Sequence, residues 1–295
     1  MGSSIAYSQT FDWAKNIGGS GDDRGNVIKT DPSGNVFVAG AFSGTVDFDP
    51  GVGTTNLTSV GDMDIYVAKY DASGSFLWAE RDGNIYDDFV FGMDIDAAGN
   101  IFITGYGEIN STGSQRAMIV GKINPNGTEE WSHTLTSTSD NIGGYGLTLD
   151  ATGNVFIAGN FNGTVDFDPG SGNNELTTTG TLSHSDGYIL KLDNAGNLVW
   201  VKQFECNNAN ANVRNIVTDP MGNIYSTGQY WNSIDCDPGA GVEILGHSGN
   251  GDMFVSKLDN NGDYVWGKKI GAGDSEYGLS ISLDGSGNVY TTGYF

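Results

Sequence analysis

Along the chain, short apolar runs alternate with clusters of Asp, Gly, Asn and Ser. Residues 27–30 (Val-Ile-Lys-Thr) predict a strand, Asp31-Pro-Ser-Gly-Asn35 a tight turn, and residues 36–42 a second strand. A long loop follows. Residues 65–70 predict a third strand, and a turn at Asp71–Gly74 leads to a fourth at residues 76–79. The β-branched and aromatic residues of the runs suit strands. The Asp…Gly punctuation suits hairpins whose Gly adopts the left-handed region.

This pattern recurs. Trp13, Trp78, Trp131, Trp200 and Trp266 follow one another at intervals of 65, 53, 69 and 66 residues. An Asp-x-x-Gly-Asn marker at Asp31, Asp96, Asp150, Asp219 and Asp284 keeps intervals of 65, 54, 69 and 65. Two markers with one irregular rhythm, including one short unit, define an internal repeat. Repeated four-stranded meanders predict an all-β fold, a β-propeller of four-stranded antiparallel blades.

Residues 1–9 read as a truncated export signal or vector-derived residues, and residues 10–295 as a single propeller domain. Its units run over about 10–76, 77–129, 130–198 and 199–264, with a partial unit at 265–295. Residues 10–17 match a fourth strand and residues 291–295 the end of a second. Four complete blades and a partial fifth are therefore expected. They form either a ring of five blades closed by the N-terminal strand or a fragment of a larger propeller. Closure would remove exposed sheet edges.

Composition narrows the function classes. Of 36 acidic residues, 28 are Asp, and 46 of 295 residues are Gly. Asp, Gly and Asn favour turns and caps, so a helical bundle is excluded. A 38% hydrophobic content is too high for a disordered acidic chain. No apolar run approaches the roughly 20 residues that span a bilayer. The net charge of −23 argues against nucleic acid, whose phosphates call for Lys and Arg.

Three segments resemble the β-propeller repeat of bacterial surface proteins, the SBBP family. They are Asp31-Pro-Ser-Gly-Asn-Val-Phe-Val-Ala-Gly40, Asp64-Ile-Tyr-Val-Ala-Lys69-Tyr-Asp71 and Trp13-Ala-Lys-Asn-Ile-Gly18. The resemblance covers nearly everything from about Phe11 onward. It implies a propeller fold and a secreted or cell-surface location in Bacteroidetes-like bacteria, and it brings no catalytic residues.

Candidate chemistry lies in a few places. Asp-Phe-Asp-Pro-Gly occurs at Asp47–Gly51 and Asp166–Gly170, with Asp235-Cys-Asp-Pro-Gly239 in the same slot. Asp47, Asp49, Asp166, Asp168, Asp235 and Asp237 offer hard oxygen ligands for calcium. The same carboxylates equally suit capping of a Pro-Gly turn. Unit two lacks this motif and carries Glu108–Arg116 instead, an asymmetry that marks either a binding face or drift.

Trp231 is the one tryptophan outside the repeat register. With Tyr230 and nearby Asp235 it offers a sugar-stacking platform, or else packing beneath a loop. Asp64, Asp186 and Asp252 each stand five residues before Lys69, Lys191 and Lys257, and Lys15, Lys202 and Lys268 each follow a tryptophan by two. These repeat-locked charges are expected in ion pairs between blades or over aromatic faces. Cys206 and Cys236 could pair in an exported protein, yet Cys236 takes the place of Phe48 and Phe167, which suggests a buried apolar role. His133, His184 and His247 show no metal-ligand spacing.

The sequence thus points to a non-enzymatic, exported propeller that binds a protein or a cell-surface glycan without an obligatory cofactor. The alternatives are a carbohydrate-binding module centred on Trp231 and a propeller enzyme acting on polysaccharide.

Overall fold

A computed structural model describes residues 12–139, 141–180 and 184–295. Residues 1–9 and the first residues of the expected N-terminal strand lie outside this set. Among the described residues every regular element is a β-strand. The first sheet joins β1 (Asp23–Thr30), β2 (Val36–Phe42), β5 (Asp64–Tyr70) and β6 (Phe76–Asp82) in that order. Between β2 and β5 a small hairpin of β3 (Thr45–Asp47) and β4 (Asn56–Thr58) stands apart as its own sheet.

The second sheet is an uninterrupted meander of β7 (Asp88–Ile95), β8 (Ile101–Glu108), β9 (Arg116–Ile123) and β10 (Glu129–Leu135). The third holds β11 (Ile142–Leu149), β12 (Val155–Phe161), β15 (Asp186–Leu192) and β16 (Leu198–Phe204), with the side hairpin β13 (Thr164–Asp166) and β14 (Glu175–Thr177). The fourth holds β17 (Ala211–Thr218), β18 (Ile224–Tyr230), β21 (Asp252–Leu258) and β22 (Tyr264–Ile270), with the side hairpin β19 (Ser233–Asp235) and β20 (Ile244–Gly246). A last pair, β23 (Tyr277–Leu283) and β24 (Val289–Tyr294), packs on the fourth sheet.

The first strands β1, β7, β11, β17 and β23 lie against one another in chain order, as the inner strands of successive blades do. Each carries a bulge, between Gly25 and Val27 in β1 and at the same place in the others. The bulge pushes a main-chain carbonyl toward the paired strand. There stand Gly40, Gly105, Gly159, Gly228 and Gly293, where any Cβ would collide with that oxygen. The glycine ending each Val-x-Ala-Gly-like run is thus demanded by close backbone approach.

Between sheets, the tryptophan register acts as a clasp. Trp78 Nε1 donates to the Pro125 carbonyl of the next sheet's last turn at 3.1 Å, and Trp131 Nε1 to that of Asn194 at 3.1 Å. Trp13 Nε1 makes the same bond to Ala72 at 3.1 Å, so residue 13 is placed as an outer-strand tryptophan. Residues 12–17 nevertheless form no strand, contrary to expectation. A fourth strand needs a third beside it, and no described strand occupies that position. The N-terminal segment does not join β23 and β24, so no closed five-blade ring forms among the described residues.

Candidate functional site

The aspartates that dominate the composition are largely occupied by main-chain amides. Asp31 Oδ1 accepts the Ser33 and Asn35 amides, both at 2.9 Å, while Oδ2 accepts Asn35 Nδ2 at 2.7 Å. Asp96, Asp150, Asp219 and Asp284 repeat this arrangement. At Asp284 the Asn288 side chain and the turn amides hold the carboxyl down at about 2. These groups are turn builders, as the Asp-x-x-Gly-Asn spacing implies.

The candidate calcium loops form the tips of the side hairpins. Asp47 Oδ1 accepts the Asp49 amide at 3.0 Å and the Thr55 amide at 2.8 Å, and Asp49 Oδ1 accepts Gly51 at 2.8 Å. Asp166 and Asp168 do the same for Asp168, Asn174 and Gly170, and Asp235 and Asp237 for Asp237, Glu243 and Gly239. One carboxylate spans the loop and the next caps its turn, so these oxygens already have backbone donors. The melting midpoint is therefore expected to be the same with calcium and with EDTA; a fall of several degrees in EDTA would show a structural ion instead.

The residue between each pair of aspartates anchors the hairpin. Phe48 and Phe167 are fully buried, meeting Phe42 and Tyr66 at 5.4 and 4.8 Å, and Phe161 and Tyr188 at 5.3 and 4.9 Å. Cys236 fills the corresponding place, buried against Gly267. Cys206 and Cys236 are both free thiols, pushed up to about 12 chiefly by burial. Main-chain bridges Ser137–Val165 and Cys206–Ile234 tie the second and third hairpins to the segments leaving β10 and β16, and Gly18–Asp47 ties the first to the N-terminal segment. The second and third hairpins are thus plugs in the clefts between successive sheets, while the first covers the corresponding face of sheet one, against the N-terminal segment. Sequence reading identified their loops and missed the three-residue strands that carry them.

The two sugar-platform residues differ in exposure. Tyr230 is wholly buried and donates its hydroxyl to the Gly246 carbonyl at 3.0 Å, leaving no ring face for a ligand. Trp231 is half-buried, packed on the core of sheets three and four, with its ring edge-on to Tyr277 at 6.4 Å.

Of the repeat-locked lysines, those five residues after an aspartate cover aromatic faces, while Lys202 pairs with Asp263 of the next sheet at 3.5 Å, both as expected. Lys69 lies 5.0 Å from the Phe37 ring centre, Lys191 4.8 Å from Phe156 and Lys257 4.8 Å from Tyr225. Their aspartates behave differently from the expected pairing between blades. Asp64, Asp186 and Asp252 are fully buried and answered from within their own sheets, by Arg81 at 2.7 Å, Gln203 at 2.7 Å and Lys269 at 3.9 Å. The reason is local: the residue facing each aspartate comes from its own outer strand.

Asp88 is the buried acid that opens β7. Burial pushes its carboxyl up to about 7 against the opposing Asn84 amide, and Asp64, Asp82 and Asp87 add to the rise. From its ordinary value of 3.8 up to about 7, the folded chain holds a proton that the unfolded chain has released. Stability from this group therefore falls as pH rises through that window. Between pH 5 and 8 the native midpoint is expected to drop, and Asp88→Asn to flatten the drop; parallel profiles would assign the titration elsewhere.

One cleft between sheets is open. Between sheets one and two lies a cavity of about 330 Å³. Its floor is Ile65, Val67, Ile103 and Ile119, and its rim carries Glu80, Asp82 and Glu129. Here sheet two, the unit without the Asp-Phe-Asp-Pro-Gly motif, has no side hairpin.

Residues 199–229 match the family model described as the SBBP β-propeller repeat, and the other units share its tryptophan and Asp-x-x-Gly-Asn markers. The four-stranded antiparallel sheets are propeller blades in form. The chain is 24% identical over 225 residues to an uncharacterized WD repeat-containing protein of Acanthamoeba polyphaga mimivirus. That alignment covers 64% of this chain and 16% of the viral protein, so the chain spans a small part of its relative. A crystal structure of a protein of unknown function from Bacteroides caccae aligns over 84% of this chain and 82% of its own, at 12% identity and a TM-score of 0.33.

Proposed function

We propose that the chain is a β-propeller protein-interaction module, a non-enzymatic scaffold working outside the bacterial cell or on its surface. The carrying observation is the fate of the repeated polar groups. The turn carboxylates are committed to main-chain amides, and Lys69, Lys191 and Lys257 to aromatic faces, while an apolar-floored cleft between two blades stays open to solvent. Blades stacked in series give a rigid frame, and a variation confined to one unit places a binding site without disturbing its neighbours. A WD repeat-containing relative fits the same reading, since such repeats commonly present surfaces to other proteins.

The test sets three activities side by side on the whole chain. Panning of a phage-displayed peptide library is expected to converge on a sequence family. A glycan array and a panel of chromogenic polysaccharides are expected to give neither saturable binding nor turnover. Glycan binding lost in Trp231→Ala, or hydrolysis above the blank, would replace this reading.

A further inference from the structure

The open cleft differs from its filled counterparts residue by residue. In the third blade the plug's Val165 and Phe167 cluster with Met118, Val120 and Leu135 of the preceding blade. One unit earlier, Ile65, Val67 and Asp82 hold those three positions, and all line the cavity. The open cleft is therefore the place a side hairpin would occupy, with its apolar floor kept and the hairpin absent. Ile119 stands where the other blades carry Tyr66, Tyr188 and Phe254, which further widens the space.

Its charges changed in a consistent direction. Asp82 replaces Leu135 and Phe204, which buttress the plugs elsewhere, and Glu129 replaces Phe76, Leu198 and Tyr264. Glu80 stands where other units carry Lys15, Lys202 and Lys268. Burial pushes the Asp82 carboxyl up, and the neighbouring Glu129 adds to the rise. The one arginine on the rim, Arg81, is already paired with Asp64 at 2.7 Å. Among the described residues neither Asp82 nor Glu129 has an ion-pair partner, and two such acids standing where apolar contacts were would weaken a merely empty cleft.

We propose that the cleft between the first and second blades is a docking slot for a partner polypeptide, which inserts a ring-bearing apolar side chain flanked by Lys or Arg in the place held elsewhere by a side hairpin. This rests on the interaction-module reading and adds its site and partner chemistry. Phe167 shows in the same fold that an aromatic anchor on an extended segment fits such a cleft. The acids on the rim select basic flanks. A second copy of this chain is a poor occupant, because its own net charge of −23 opposes the rim.

The experiment pans a library of peptides about twelve residues long on the native chain and measures the enriched clones against two variants. Ile119→Trp fills the slot at a position that accepts rings in the other blades. Asp82→Leu combined with Glu129→Leu removes the acids and installs residues found at those positions in other units. Both variants are expected to melt no lower than the native chain. Enriched peptides are expected to carry an aromatic residue beside Lys or Arg and to bind each variant at least ~10-fold more weakly. Clones that bind all three proteins equally would overturn the slot while leaving the module reading intact. Slot-dependent clones without basic flanks would overturn the partner chemistry, and a library that yields no clones would overturn both readings.

Discussion

Gly159→Ala is expected to unfold the chain or lower its stability by roughly 3 kcal/mol, at the upper end of the range for overpacking. The added methyl would enter the space of the Gly143 carbonyl oxygen and stand 2.6 Å from the Tyr188 ring. Neither can retreat. The carbonyl is set by the bulge in β11, and Tyr188 is fully buried with its hydroxyl donating to that same carbonyl at 3.1 Å. Gly246→Ala supplies the control, because nothing lies within 4 Å of the new atom and its φ is not in the left-handed region. It should be neutral within about 0.5 kcal/mol. Urea unfolding of the two variants checks the contrast, and equal midpoints would remove the bulge from the account.

Phe167→Ala should cost about 3–5 kcal/mol, the range for deleting a fully buried aromatic side chain. Its ring meets two others edge-on or tilted, and it anchors a hairpin whose paired strands are three residues each. Two such strands have little stability alone, so the loss should be local as well as global. Amide exchange in β13 and β14 should accelerate more than in β12 or β15. Phe167→Leu should recover much of the loss. If β13 remained as protected as in the native chain, the hairpin would be held by something other than its anchor.

Much of this fold was legible in the sequence. The Asp-x-x-Gly-Asn marker builds the same Asp-capped turn in every unit, and Trp13, Trp78 and Trp131 make the same clasp to a neighbouring turn, so their spacing shows the units directly. The Asp-Phe-Asp-Pro-Gly motif was visible too, but its meaning depended on where the middle residue points. Only the structure shows Phe48, Phe167 and Cys236 turned inward against the sheets. Tyr230 misled for a related reason: β18 is buried along its whole length, and adjacency to Trp231 carries no information about exposure.

The open cleft was legible only as a missing motif in unit two. That Asp82 and Glu129 face it required the register of β6 and β10 across two different units. Buried Asp64, Asp186 and Asp252 were visible as a register but not as buried, because the groups that answer them lie 17 residues downstream on the neighbouring outer strand.

The central claim is that each side hairpin seals one face of its own blade, and that the second blade, without a hairpin, leaves that face open. Thiol labelling compares two equivalent positions on the outer strands. Ala79 is buried beneath the hairpin of the first blade, and Ser132 is exposed at the open cleft. Both native cysteines are buried and should react slowly. In native buffer, the thiol of Ser132→Cys is expected to react as an exposed one does. That of Ala79→Cys should wait for local opening and react at least ~100-fold more slowly. Equal rates at the two positions would contradict the claim.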